Sequence, residues 1–155
     1  MNNELVVIGG VEEIAFPQLN LQKIHARIDT GAKTSSIWAS NIEEKDGILS
    51  FTLFDVESDH YTGSKIVMKQ YNKRMIASSN GIAQERYVVK LLLEIGGKRL
   101  RASFTLADRS SQVYPVLIGR SVLSGRFIVI VRLGKRLTTE EKRRSKELQA
   151  NLGEE

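Results

Sequence analysis

Ile28-Asp29-Thr30-Gly31-Ala32 and, well downstream, Pro115-Val116-Leu117-Ile118-Gly119-Arg120-Ser121-Val122-Leu123 are the two stretches on which the fold turns. In the first, an apolar strand runs into an acid, then a small hydroxyl residue, then glycine. Gly31 lets the chain turn sharply and lets a ligand or a second backbone come close. Thr30 can hydrogen-bond across an interface while its methyl packs. The carboxylate of Asp29 is thereby presented at a strand end. Taken alone, such a tripeptide also reads as an Asx-type turn. In the second stretch an apolar strand, a glycine and a short helix follow one another.

Working outward, short strands alternate with turn signals. Leu5–Ile8 is closed by Gly9-Gly10, and Lys23–Ile28 places Ile24, Ala26 and Ile28 on one face. His25 falls opposite that face and reads as exposed. Asp46-Gly47 is a hairpin signal between Asn41–Lys45 and Ile48–Phe54. Ser64–Tyr71, Tyr87–Ile95, Lys98–Leu106, Val116–Ile118 and Phe127–Val131 complete the strands. Lys73-Arg74-Met75-Ile76-Ala77-Ser78-Ser79-Asn80-Gly81-Ile82 reads as a polar hairpin tip turning at Asn80-Gly81. The body is all-β, with strand spacing suited to a small barrel or sandwich. Helix is expected only at Arg120–Ser124 and from Thr138 onward, where Thr138 and Glu141 have capping-box spacing. Leu148 and Leu152 are the one apolar i,i+4 pair there, so the helix reads as an exposed or frayed tail. The expected organisation is a β domain over 1–134 and a charged tail over 135–155.

Composition limits the chemistry. The chain has 155 residues and no cysteine, which excludes a disulfide scaffold, a thiol nucleophile and a cysteine-based zinc site. Its 23 Lys and Arg against 18 Asp and Glu give a net charge of +5, spread along the chain rather than gathered in a basic arm. Aromatic residues do not interleave with the basic ones on any strand, so nucleic acid is not the expected partner. No apolar run nears the roughly 18 residues of a membrane span, and Met1-Asn2-Asn3-Glu4 does not read as a signal-peptide start. The expected compartment is the cytoplasm, with no membrane association.

Together these pieces resemble the retropepsin-like aspartic peptidases, which have an Asp-Thr-Gly-Ala loop, a flap hairpin and a hydrophobic-hydrophobic-Gly-Arg turn behind the active site. The match runs from about residue 5 to 131. The closer resemblance is to a bacterial and archaeal branch labelled as an ATP-dependent zinc protease and associated with RimK-type ATP-grasp ligases, which add glutamates to proteins. That branch is similar in Asp29 to Ser35, Ser78 to Gly81, Glu85-Arg86, Ile95-Gly96-Gly97 and Pro115 to Arg120. The resemblance implies a closed acid-protease β-barrel with one short helix and a C-terminal helical tail. It implies Asp29, Thr30 and Gly31 as the catalytic loop, and Ala32, Lys33, Ser78, Ser79, Asn80, Gly81 and Arg86 as substrate-binding residues. Gly119 and Arg120 would give structural support. Viral relatives carry an acid at the position of Lys33 that pairs with the arginine matching Arg120. Here Arg120 is expected to turn to Asp108, Glu85 or backbone carbonyls.

The zinc and ATP of that label find no residues here. The two histidines, His25 and His60, lack the spacing of a metal cluster, and there is no Gly-rich phosphate loop ending in Lys-Ser/Thr. The expectation is a peptidase without metal or cofactor. Aspartic peptidases need two carboxylates about a water, and this chain has one Asp-Thr-Gly and no Asp-Ser-Gly. A homodimer is therefore expected, pairing Asp29 with its symmetry mate. Ala32 offers no hydroxyl to the pair, which points to activity nearer neutral than acid pH. Lys33, Arg86, Lys73 and Arg74 suggest acidic or glutamate-rich protein tails as substrates. Trp38, the sole tryptophan, reads as core. Two readings compete: a catalytically weak or silent dimer of the same fold that binds an acidic peptide or partner protein, and a basic barrel that binds nucleic acid.

Overall fold

A computed structural model describes residues 4–77 and 80–153. Ser78 and Ser79 lie outside the described residues. In chain order the strands are β1 (Val6–Ile8), β2 (Val11–Phe16), β3 (Leu21–Ile28), β4 (Ser35–Lys45), β5 (Ile48–Leu53), β6 (Lys65–Met68), β7 (Asn72–Ala77), β8 (Ala83–Ile95), β9 (Lys98–Ala107), β10 (Val116–Ile118) and β11 (Phe127–Val129). A 3-10 turn covers Pro17–Leu19. The helices are α1 (Arg120–Leu123) and α2 (Thr139–Gly153).

Period-two alternation sends one face of these strands inward. Ile24, Ala26 and Ile28 of β3, Ile37 of β4, Leu93 and Ile95 of β8, Phe104 and Leu106 of β9, and Val116 and Ile118 of β10 are all buried. Each fully buried Ile, Leu or Phe contributes about 1.5–3 kcal/mol over leaving it exposed. Phe16 meets Phe104 edge-on, with ring centroids 5.5 Å apart. The ring of strands runs β10-β3-β2-β8-β9-β4 and closes where β4 returns to β10, a barrel of six strands. Closure removes the sheet edges that would otherwise invite further pairing. The key seam is β10, which lies parallel to β3 with Ile118 opposite Ile28, and antiparallel to β4 with Leu117 opposite Ser36.

Beyond the barrel, β4 continues into an antiparallel sheet with β5 and β6. Asp46 and Gly47 both take positive φ in the β4–β5 turn, at 55° and 75°, as a two-residue hairpin of the primed type requires. β7 pairs with β8 alone, and β1 pairs in parallel with β11. Strand also forms where the sequence marked none, in β2 and in the first half of β4 from Ser35 to Ser40, and the arms of the polar hairpin are strand as β7 and the start of β8. In that half of β4 only Ile37 and Trp38 favour strand, among three serines and an alanine. Its parallel pairing with β9, Ser35 opposite Phe104 through Trp38 opposite Ala107, supplies what local propensity does not.

α2 is docked, contrary to the exposed or frayed tail expected from its charged sequence. Its capping box forms reciprocally: Thr138 N–H donates to Glu141 Oε1 at 3.0 Å, and Glu141 N–H to Thr138 Oγ1 at 3.1 Å. The same Oε1 lies 2.8 Å from Nδ1 of His25 on β3. His25 is therefore buried under the helix rather than exposed. Arg144 donates to the carbonyls of Ser110 and Gln112 and lays its guanidinium 4.8 Å from the ring centroid of Trp38. Trp38 is buried, on the opposite side of β4 from inward-facing Ile37 and Ala39 and beneath α2. Among the described residues no helix is long and apolar enough to cross a membrane.

Candidate active site

β3 delivers Asp29. The Ile28 N–H donates to Gly10 O at 2.9 Å and the Asp29 N–H to Ile118 O at 2.9 Å, so the strand end is clamped on both sides. The chain then turns, with Ala32 N–H donating to Asp29 O at 3.2 Å. The carboxylate folds back over this turn, and its Oδ1 accepts the Gly31 N–H at 2.9 Å. Asp29 is half-buried, Thr30, Gly31 and Lys33 are exposed, and Ala32 is half-buried. The acid is thus fixed by the backbone yet open to solvent.

The segment after β10 holds the far side of the loop. Arg120 N–H donates to Ala32 O at 2.8 Å, Ser121 N–H to Lys33 O at 3.0 Å, and Gly119 N–H to Ser35 Oγ at 3.0 Å in a buried bond. The Arg120 side chain reaches across to Thr30 O at 3.0 Å through Nη1. Of the partners expected for Arg120, it has taken a backbone carbonyl. The loop keeps an arginine tie even with Lys33 where viral relatives have an acid. Asp29, Thr30, Gly31, Ala32, Lys33, Gly119 and Arg120 therefore form one hydrogen-bonded unit. Ser35 belongs to it too. It stood in the quoted Asp29–Ser35 stretch without a role, because its partner lies across the fold.

Asn80, Gly81 and Arg86 belong to the hairpin of β7 and β8. Its register runs from Asn72 opposite Val88 to Ala77 opposite Ala83. Gly81 has φ +81°, and the Asn80 side-chain carbonyl accepts the Ile82 N–H at 3.3 Å. Asn80 and Gly81 are exposed at the tip. Arg86 lies midway along the hairpin, bonded to Gln84 Oε1 at 2.8 Å and opposite Arg74 in register. The Ser110 hydroxyl and N–H hold the Asp108 carboxyl below its ordinary value, with the Arg86 charge a smaller contributor.

Lys73 is not available to an acidic ligand in the way the sequence suggested. Its Nζ sits 2.6 Å from Glu44 Oε1 and 5.9 Å from the Tyr87 ring centroid. Tyr71 also donates its hydroxyl to Glu44. Hydrogen bonds from Lys73 and then Tyr71 hold the Glu44 carboxyl below its ordinary value. Sequence reasoning gave Glu44 no role. An acid near the end of a long strand, next to Glu43, carries no signal of the three side chains that converge on it.

A family model described as the retropepsin-like aspartic endopeptidase RimB matches residues 7–142. A probable alpha-L-glutamate ligase of Shewanella pealeana is 35% identical over 133 residues, covering 83% of this chain and 29% of the relative. A protein of the same description from Desulfotalea psychrophila is 34% identical over 127 residues, covering 79% of this chain and 27% of the relative. The chain thus spans less than a third of the curated relatives it matches. A solved structure from Legionella pneumophila, a DUF785 protein of unknown function, superposes with a TM-score of 0.65 at 27% identity, covering 87% of this chain and all of the other.

Proposed function

Because the chain belongs to the RimB-like family of retropepsin-like aspartic endopeptidases, we propose that it supplies half of a peptidase active site. The observation that carries this reading is the Asp29 loop itself, a solvent-facing carboxylate at a strand end whose backbone is tied to residues 118–121. Two copies related by a two-fold axis bring Asp29 beside the partner's Asp29. Two carboxylates that close share one proton, because both cannot ionise easily. The ionised member takes a proton from a water lying between them. That water attacks the scissile carbonyl carbon while the protonated member donates its hydrogen bond to the carbonyl oxygen. Collapse of the tetrahedral intermediate breaks the C–N bond, and the leaving amine takes a proton from the pair. The β7–β8 hairpin serves as the flap that excludes water. Exposed Lys33 next to the loop and Arg86 midway along the hairpin favour acidic or glutamate-rich protein tails.

The test is cleavage of a peptide library containing glutamate-rich and neutral members by the wild type and by Asp29→Asn. The variant should keep its circular dichroism spectrum and lose about 10²-fold or more of its rate. Acidic peptides should be cut faster than neutral ones, and a chelator should change nothing. Activity that survives Asp29→Asn and disappears with a chelator would overturn the mechanism.

A second reading has its own support, since the curated relatives are probable glutamate ligases and this chain spans less than a third of each. On it, the domain holds an acidic peptide for a ligase without cutting it. Equal peptide binding by wild type and Asp29→Asn, with no cleavage by either at any pH between 4 and about 8, would favour it.

A further inference from the structure

Away from the Asp29 loop the protein carries a groove of about 830 Å³, within the size range of ligand sites. It is lined by the connection between β6 and β7 and by the neighbouring stretches of β8 and β9. None of its lining residues belongs to 29–34 or 118–121, and none is acidic. Three are cationic: Lys69, Lys90 and Arg101, all exposed. Among the described residues none of the three forms an ion pair.

The placement of these charges is specific. Lys90 pairs with Ser103 across β8 and β9, and Arg101 lies two residues from Ser103, so Lys90 and Arg101 are diagonal neighbours on one face. Like charges so placed repel and weaken the pair of strands. The same two strands neutralise such charge farther along, where Arg99 pairs with Glu94 at 3.2 Å. Beside the groove Lys73 likewise has Glu44. Three cations and no acid therefore line one concavity.

The groove also offers neutral polar partners. Gln70, Asn72 and Ser103 can bond a peptide backbone. Tyr71 forms one wall, with its ring set edge-on to Tyr87 at 6.0 Å and its hydroxyl committed to Glu44. A single aromatic held edge-on in this way gives no run of stacking platforms for bases. We propose that this groove is a second binding site, distinct from the Asp29 loop, that takes a carboxylate-rich peptide segment. It extends the acidic-substrate reading to a second surface, but it stands on its own geometry and needs no catalysis at Asp29.

The experiment uses the full chain carrying Asp29→Asn, so that turnover cannot obscure binding. Fluorescent hexaglutamate, hexaglutamine and a short single-stranded oligonucleotide are titrated at two salt concentrations. Backbone amide shifts locate the bound peptide. Hexaglutamate should bind, more weakly at the higher salt, and should shift amides around Lys90, Arg101 and Ser103. Adding Lys90→Gln with Arg101→Gln should weaken it about five- to tenfold, as loss of two exposed charge contacts implies, at a melting temperature no lower than that of the parent. Hexaglutamine should not bind. Absence of hexaglutamate binding overturns the proposal, as do shifts confined to residues 29–34 and 80–86. Equal affinity in the double variant, or tighter binding of the oligonucleotide lost in the same variant, overturns it as well. Cleavage by the wild type is scored separately, so failure of the peptidase reading and failure of this one remain distinguishable.

Discussion

Gly119 leaves no room for a side chain. A Cβ built there would lie 2.4 Å from the Thr34 carbonyl oxygen and 2.8 Å from that of Ala32. Its φ of −103° is ordinary, so the constraint is the closeness of two backbones and not backbone strain. The closeness is what lets the N–H groups of residues 119–121 reach the Asp29 loop and Ser35. Gly119→Ala should push the loop outward, costing about 1–3 kcal/mol of stability and a larger share of any cleavage rate. A urea titration reads the first and a peptide assay the second. An alanine variant with the wild-type midpoint and rate would show that the contact is not needed. The role of Gly119 could be anticipated because the glycine sits in a strand-to-helix turn. The role of Ser35 could not, because its bond to Gly119 spans 84 residues of sequence.

Among the elements, the β7–β8 hairpin depends on an acid outside itself. Glu44, near the end of β4, receives Lys73 and Tyr71 and is 3.5 Å from the Tyr87 hydroxyl. The folded state holds its carboxyl below the ordinary value of 4.5 and holds the Lys73 ammonium above its own. A depressed carboxyl contributes its stabilisation above the unfolded value and loses it as pH falls through the folded one. The wild type should therefore protect the amides of β7 from hydrogen exchange better than Glu44→Gln at neutral pH. The difference should shrink as pH drops below about 4.5. Equal protection in both proteins at neutral pH would remove Glu44 from this role. The hairpin itself was legible from its polar tip and Asn80-Gly81, but its anchor was not. The docking of α2 was hidden for a related reason. Periodicity detects apolar faces, and α2 is held by Glu141 against His25 and by Arg144 against Trp38 and two carbonyls. A buried polar contact leaves no trace in a hydrophobic pattern.

For the whole molecule, the barrel follows from strand alternation, and the Asp29 loop from one tripeptide and one Gly-Arg turn. On the proposed reading a second copy completes the site, and neither feature says where that copy docks. The parallel pair of β1 and β11 presents exposed apolar side chains: Val7 at 49% and Ile128 at 47% of full exposure, opposite one another in register, with Leu5, Ile130, Val131 and Leu133 around them. Exposed apolar side chains gathered along one strand pair mark a candidate contact. If a second copy completes the Asp29 pair through this surface, placing two lysines there must separate the copies and abolish cleavage together, since one chain holds one Asp-Thr-Gly. Val7→Lys with Ile128→Lys should therefore run as a monomer in analytical ultracentrifugation, keep its circular dichroism spectrum, and lose peptide cleavage. The wild type should lose specific activity on dilution below its dissociation constant. A double variant that cuts peptide as a monomer would mean that a lone Asp29 suffices. One that stays dimeric and active would move the contact to another face.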